Sequence, residues 1–371
     1  MCEMQKKTGI ITHYDVHNHG AHLQLYALSK VLGTLGYEAK ALRYKKNYDF
    51  MAENASKKYN ITLASIPTYF KYLIQKGIGR TIYNMKKRST LKNFRANQNL
   101  IGEYYSHAKD LELVVIGSDE VFSIEPGLNP WFYGMGVPCK KVISYAASFG
   151  STTKEFICDM YAEEFITAGI KHLSSCSVRD ENSQFIVSSF VGETPLMVCD
   201  PVLLYGYIDE INTARENRRK AKEKYILVYS YDNTMNESEN VEKIRAYAKT
   251  KGLKLYSVGF YHKWCDKSIN VDPLDIFDWF VGAEEVITDT FHGAVLSIVT
   301  NSTMFVKLKP TNRNKLLWLM KEYALEDRVL DDFSKLDLVS GKSIDFNKVN
   351  ALVEEKREYS LNYLKGALKD A

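Results

Sequence analysis

Two periodicities take turns along this chain. "TGIITHY" is a short β-branched run, and after Asn18 the residues Leu25, Leu28, Leu32 and Leu35 fall on one helical face before Gly36 stops it. "YEAKALRY" then alternates as a strand does. Past a long basic, helix-prone stretch come four strand-like segments, "LELVVIGSD", "KVISYAASFG", "SSCSVRD" and "PLMVCDP", separated by connections of which some are helical. "YIDEINTARENRRKAKEKY" is polar, charged, helix-prone and short of core positions, and it reads as a crossing between domains. The alternation restarts with "YILVYSYD", "LKLYSVGF", "EEVITD" and "TMFVKLK", each followed by a helical pattern. Repeated β-α alternation favours parallel sheets, so the expected fold is α/β, with two Rossmann-like, doubly wound domains facing a cleft. The N-terminal domain is expected over 1–206 with a basic helical insertion at about 45–110, the crossing over 207–223 and the C-terminal domain over 224–340. A helix within 341–371 closes the chain and is placed to lie back across the first domain.

At 371 residues, 45% hydrophobic and 25% charged, the composition is that of an ordinary globular protein of about two domains. No apolar stretch is long enough for the core of a signal peptide or for the roughly 18 residues that span a bilayer, so a cytoplasmic protein is expected. Six scattered cysteines with no C-x-x-C pair read as small buried hydrophobes in a reducing compartment. His13, His17, His19 and His22 crowd into "THYDVHNHGAHLQ", but no Cys or Glu accompanies them and no metal is expected. Charge is lopsided. Between Lys40 and Arg95, fourteen Lys or Arg stand against Asp49 and Glu53, a local +12 in a chain whose net charge is +4. An anionic partner and a solvated basic helix pair both fit that excess; no nucleic-acid-binding motif accompanies it, and no nucleic acid is expected.

One joint in the pattern carries a histidine. In "EEVITDTFHGAVLSIV" a strand-like segment gives way to a helix-like one, and His292 stands at the joint, followed by Gly293. Such turns aim backbone N–H groups into the crevice at the carboxyl ends of the strands, where α/β folds bind ligands. A histidine packed against its own turn is the plain alternative.

The order of segments adds what none carries alone. Asn18, Gly20, Ala21, Leu23, Gln24, Tyr26, Ala27 and Leu28 follow an N-x-G-A-x-L-Q-x-Y-A-L pattern that resembles the opening of the polysaccharide pyruvyl transferase family. "VVIGSDEVF", "ISYAASFGS", "SVRD", "CDPVLL", "VITDTFHGAVLSIV" and "LEDRVL" resemble its successive blocks, from about residue 8 to about residue 330. The resemblance implies a two-Rossmann-domain fold similar to GT-B glycosyltransferases. It also implies transfer of the enolpyruvyl group of phosphoenolpyruvate, a co-substrate with no further cofactor, onto a sugar of a cell-surface polysaccharide or its precursor. A pyruvate ketal forms and phosphate leaves. That chemistry needs an acid for the donor's methylene carbon, a clamp for its carboxylate and phosphate, and a base for the sugar hydroxyls.

His292 is the candidate acid, and the resemblance implies that Phe291 lines the donor site. A helix N-terminus keeps an imidazole neutral, and a donor of about three negative charges reverses that. Gly293 is expected to let the anion near the backbone, and the N–H groups of Gly293 and Ala294 to help hold it. Arg179 in "SVRD" is the candidate clamp, since a planar guanidinium grips a carboxylate or phosphate with two hydrogen bonds; an ion pair with Asp180 or a neighbouring helix is the alternative. Arg313 in "KPTNRNK" is a weaker second clamp. Asp119 in "GSDE" is the candidate base, or else a helix cap. Asn18 and Gly20 shape the first turn, on the acceptor side. Glu120, Phe122 and Ser123 depart from the Gln, Trp and Asn of the family block, and Thr290 replaces a Ser; Glu120 adds a negative charge beside the expected anion site. The basic region is expected near the cleft mouth, serving an anionic acceptor such as a sugar linked through diphosphate to a membrane lipid, with peripheral contact to the membrane surface. A nucleotide-sugar glycosyltransferase of the same architecture and a non-catalytic binder of anionic glycans are the competing readings. No convincing Glu-rich ribose-binding segment follows "ITDTFHG", and retention of His292 and Arg179 speaks against the second.

Overall fold

The computed structural model describes residues 5–46, 48–50, 67, 77–218, 223–231, 235–310 and 312–369. β1 (Lys6–Ile11), β2 (Tyr37–Arg43), β3 (Ile101–Tyr104), β4 (Leu111–Ile116) and β5 (Cys139–Ser144) form a five-stranded sheet in the order β3-β2-β1-β4-β5. Beside β5 lies a two-stranded pair, β6 (Ser177–Val178) and β7 (Leu196–Met197), tied to it where Ser144 N–H donates to the Ser175 carbonyl at 2.9 Å. The second sheet takes β8 (Tyr225–Tyr229), β9 (Lys254–Val258), β10 (Lys267–Ile269), β11 (Glu285–Thr288), β12 (Met304–Lys307) and β13 (Val329–Leu330) in the order β10-β9-β8-β11-β12-β13. The pairings within both sheets are parallel. Parallel sheets are covered on both faces, which is why β8 is buried along its whole length and β4 is the near-continuous apolar run LELVVI.

The short strands β3, β10 and β13 have no counterpart in the sequence pattern. They are two to four residues long, too short to establish a period. The helix-prone stretch read as a crossing holds the helix Ile208–Arg218, which buries Ile211 and Ala214, while 219–222 lie outside the described residues. Asn217 reaches Asp278 at 3.1 Å, which places this helix with the second sheet. The closing helix, Phe346–Lys369, returns to the first sheet. Ser360 Oγ accepts from Cys199 N–H at 2.9 Å, Tyr363 Oη donates to the Ser144 carbonyl at 2.7 Å, and Arg357 Nε donates to the Leu203 carbonyl at 2.9 Å.

Of the basic region, 47, 51–66 and 68–76 lie outside the described residues. Its described helix, Ile78–Asn97, buries Tyr83, Lys87, Leu91 and Phe94 and reaches the second sheet, where Tyr83 Oη donates to the Ile269 carbonyl at 2.9 Å. Among the described residues no helix is long and apolar enough to cross a membrane.

Candidate functional site

In each sheet the strand order reverses beside the first strand, and a crevice opens there at the carboxyl ends. β4 runs out into Gly117, Ser118 and Asp119; β11 runs out into Asp289, Thr290 and the helix Phe291–Thr300; β6 delivers Arg179. The two crevices face each other, and side chains from both sheets meet in one buried cluster. Arg179 Nη1 donates to Asp200 Oδ2 at 3.1 Å, to Ser118 Oγ at 3.3 Å and, at 3.5 Å, to Gln24 Oε1. Its Nη2 donates to Asp119 Oδ1 at 3.3 Å. The guanidinium lies 4.6 Å from the ring centre of Phe291, a cation–π contact across the domain boundary. His292 Nε2 donates to the same Gln24 Oε1 at 3.3 Å and stands 3.8 Å from Asp200 Oδ2. Two buried donors, Gln24 Nε2 and Arg179 Nε, have no acceptor among the described residues.

Thr290 sets this geometry by capping the histidine's helix. Its hydroxyl accepts from Gly293 N–H at 2.9 Å, and its carbonyl accepts from Ala294 N–H at 3.2 Å. The two amides expected to hold an anion are thus engaged within their own turn. Gly293 answers to packing, because a Cβ there would lie 2.0 Å from the Thr288 hydroxyl. Gly20 does likewise: its missing Cβ would collide with the imidazole of His292. Asn18 caps the first helix through Gly20 N–H at 3.0 Å and donates to Tyr231 Oη of the second sheet at 3.3 Å.

Burial dominates the electrostatics of His292 and lowers its pKa; Asp200 and Asp119 pull the other way without reversing it. Burial alone would raise the pKa of Asp119, but Arg179, helped by His13, His292 and Lys315, holds the carboxyl well below the ordinary range. Arg179 pairs with Asp119 and Asp200, not with Asp180. Asp180 caps the following helix through Ser183 N–H at 2.8 Å.

Arg313 is exposed at the start of the helix Arg313–Glu322 and makes no described contact with the cluster. Two residues on, Lys315 reaches across the cleft to pair with Glu120, so the added carboxylate of this chain is matched by a cation of the opposite sheet. The other two departures turn inward: Phe122 stacks on Tyr133 at 4.9 Å, and Ser123 Oγ meets Thr152 Oγ1 at 3.1 Å. The crowded histidines serve separate contacts. His22 donates from Nδ1 to the Asn18 carbonyl and accepts at Nε2 from Arg95, while His19 donates to the Val271 carbonyl. Among the described residues no group of three or more His, Cys, Asp or Glu is placed to hold a metal. Gln24 and Asp200, which the reading of motifs left without a role, join Arg179 and His292 in the cluster.

Two parallel doubly wound sheets with a charged cluster between their carboxyl ends define a GT-B-like α/β protein. The chain is similar to the UDP-GlcNAc 2-epimerase of Methanocaldococcus jannaschii at 12% identity and a TM-score of 0.50, over 92% of this chain and 93% of that one. It is similar to UDP-GlcNAc 2-epimerase from Neisseria meningitidis at 9% identity and a TM-score of 0.47, over 99% and 100% of the two chains. For the glycosyltransferase SnogD from Streptomyces nogalater the figures are 10% identity and a TM-score of 0.41, over 98% of each. Likeness at such identity concerns the fold. The family is given by the sequence: the family model for polysaccharide pyruvyl transferase matches residues 18–301, and the chain belongs to that family. No curated protein matches the chain.

Proposed function

We propose that this transferase moves the enolpyruvyl group of phosphoenolpyruvate onto a sugar of a cell-surface polysaccharide or its precursor, forming a pyruvate ketal and releasing phosphate. The observation that carries the reading is the convergence of Arg179 and His292, from opposite sheets, on Gln24 and Asp200, beside two buried donors that lack acceptors among the described residues. A carboxylate or phosphate would satisfy such donors.

His292 is neutral before the donor arrives. The donor's negative charge raises its pKa, and the imidazolium delivers a proton to the methylene carbon, leaving the central carbon electrophilic. A sugar hydroxyl attacks that carbon and loses its proton to Asp119. The carboxylate is a weak base while Arg179 holds it, and it gains basicity as the donor draws the guanidinium away. Phosphate leaves with the proton that Asp119 had taken, and a second hydroxyl closes the ring and returns a proton to His292. Phe291 and Arg179 fix the donor's plane; the amides of Phe291 and His292, ahead of the capped pair, are the ones free to meet its charge.

The test is a thermal-shift panel of phosphoenolpyruvate against nucleotide sugars, followed by phosphate release with sugar acceptors. A ligand at 100 times its dissociation constant stabilises by about 2.7 kcal/mol. A shift with phosphoenolpyruvate and none with nucleotide sugars supports the reading. The reverse pattern would replace it with a nucleotide-sugar transferase.

A further inference from the structure

The helix Ile78–Asn97 carries six cations and no acidic residue. An amphipathic surface helix normally turns its apolar side to the core and its charges to water. This one buries Tyr83, Lys87, Leu91 and Phe94, yet a second apolar stripe runs along the opposite side. Ile78, Ile82 and Met85, spaced by four and three, are 71%, 49% and 69% exposed. At about 100° per residue, Lys86 and Arg88 flank the stripe on its two sides and Lys92 continues its line. All three of these cations are exposed. Lys87 belongs elsewhere: it is 3% exposed, with its ammonium 4.1 Å from the ring centre of Phe260 in the second sheet, so Lys86, Lys87 and Arg88 do not form one solvent patch.

We propose that this outer face docks the enzyme on an anionic lipid bilayer, with Ile78, Ile82 and Met85 entering the headgroup boundary and Lys86, Arg88 and Lys92 pairing with lipid phosphates. The charge pattern selects that occupant. A ridge of long apolar side chains between flanks of a single, positive sign complements a surface whose anionic groups lie over hydrocarbon. The helix is also close to the cleft. Phe260, under Lys87, packs edge-on against Tyr231 at 5.3 Å, and Tyr231 Oη accepts from Asn18 at the first turn. Docking therefore holds the acceptor side of the cleft within the thickness of this helix and two aromatic rings, Phe260 and Tyr231, of the bilayer, where a lipid-linked sugar is presented.

Co-sedimentation of the full chain with vesicles tests this. One set is phosphatidylcholine alone; the other contains about one third phosphatidylglycerol, enough for each surface Lys or Arg to contribute measurably. The parent protein is expected on the anionic vesicles, with weaker binding to neutral ones and release in high salt. Ile82→Ser with Met85→Ser, and separately Lys86→Glu with Arg88→Glu, are each expected to lower partitioning at least about tenfold. All four positions are exposed, so melting temperatures should stay at the parent's value. As a second measurement, Met85→Cys carrying an environment-sensitive dye should shift to the blue on anionic vesicles alone. Failure of the parent to bind, equal binding to both vesicle types, undiminished binding by either double variant, or an unshifted dye would each overturn the proposal. Vesicle binding is read without substrate, so its outcome is separate from that of the transfer reaction.

Discussion

The Cβ that Gly20 lacks would lie 2.2 Å from Cγ of His292. The first helix of one domain and the imidazole of the other thus compete for the space of one methyl group. Gly20→Ala is expected to push the ring off Gln24, to cost about 1–3 kcal/mol through overpacking, and to lower turnover about 10²-fold through misplacement of the acid. Melting temperature and turnover on one preparation check this; parental turnover would mean that the ring's position is not critical.

His292→Gln should separate acid from packing group. If the donor protonates His292, binding near neutral pH takes up part of a proton, seen as a dependence of calorimetric heat on buffer ionisation enthalpy. The variant is expected to lose that uptake and to fall about 10²- to 10⁴-fold in turnover. A variant that melts early but transfers at the parent's rate would end the catalytic reading.

Arg179→Lys keeps a charge but loses the fork that now spans Asp119 and Asp200. Donor affinity should fall by roughly one to two decades, in line with about 1.5–3 kcal/mol for a charged hydrogen bond. Calorimetry with Arg179→Ala makes the stricter comparison. Unchanged donor binding there would move the clamp to another cation, with Lys315 and Arg313 next in line.

Glu120 competes with any anion for Lys315. Glu120→Gln is therefore expected to tighten donor binding several-fold and Lys315→Met to weaken it, the two effects having opposite sign. Titration of both variants with phosphoenolpyruvate decides the matter, and parallel changes in the two would show that the pair acts only as a structural tie.

Stability should decline in mild acid. Burial lowers the pKa of His13 and His292 and pushes those of His19 and His22 down to about 3, against an ordinary 6.5. Below that ordinary value the unfolded chain takes up protons that the native state refuses. The direction is thus a loss of stability as pH falls, of roughly 1.4 kcal/mol per pH unit for each such histidine until its native pKa is reached. Melting midpoints at pH 7.5 and 5.5 should differ, and His22→Gln should flatten the slope; equal midpoints for the parent would refute buried neutral histidines.

The strands that carry the fold were legible because buried parallel strands are continuous apolar runs: LELVVI and YILVY announce themselves, whereas the two residues of β13 cannot. Arg179, Asp119 and His292 stood out because a guanidinium, a carboxylate and an imidazole at strand ends are chemically conspicuous. Gln24 was not, since an amide acquires its place only through partners 155 and 268 positions away. The same distance hid the meaning of Glu120, whose cation lies 195 positions on in the opposite sheet. Glycines misled in a different way. Gly293 reads as open backbone, but the Thr288 hydroxyl fills the space that a side chain would take. Helical period alone could not say that Lys87 faces inward, because which side of a basic helix is covered depends on what the fold lays beside it.

The closing helix has a mechanical consequence. The chain leaves the first sheet after the helix Pro201–Tyr205 and comes back to it through Phe346–Lys369, so two covalent straps join the halves. A body held by two straps swings about the line between them and resists twisting about any other. Any opening of the cleft is therefore expected to be door-like, with the more exposed pair Glu120–Lys315 parting before the buried contact between Gln24 and His292. A ligand that grips both leaves would then set the angle at which the door rests.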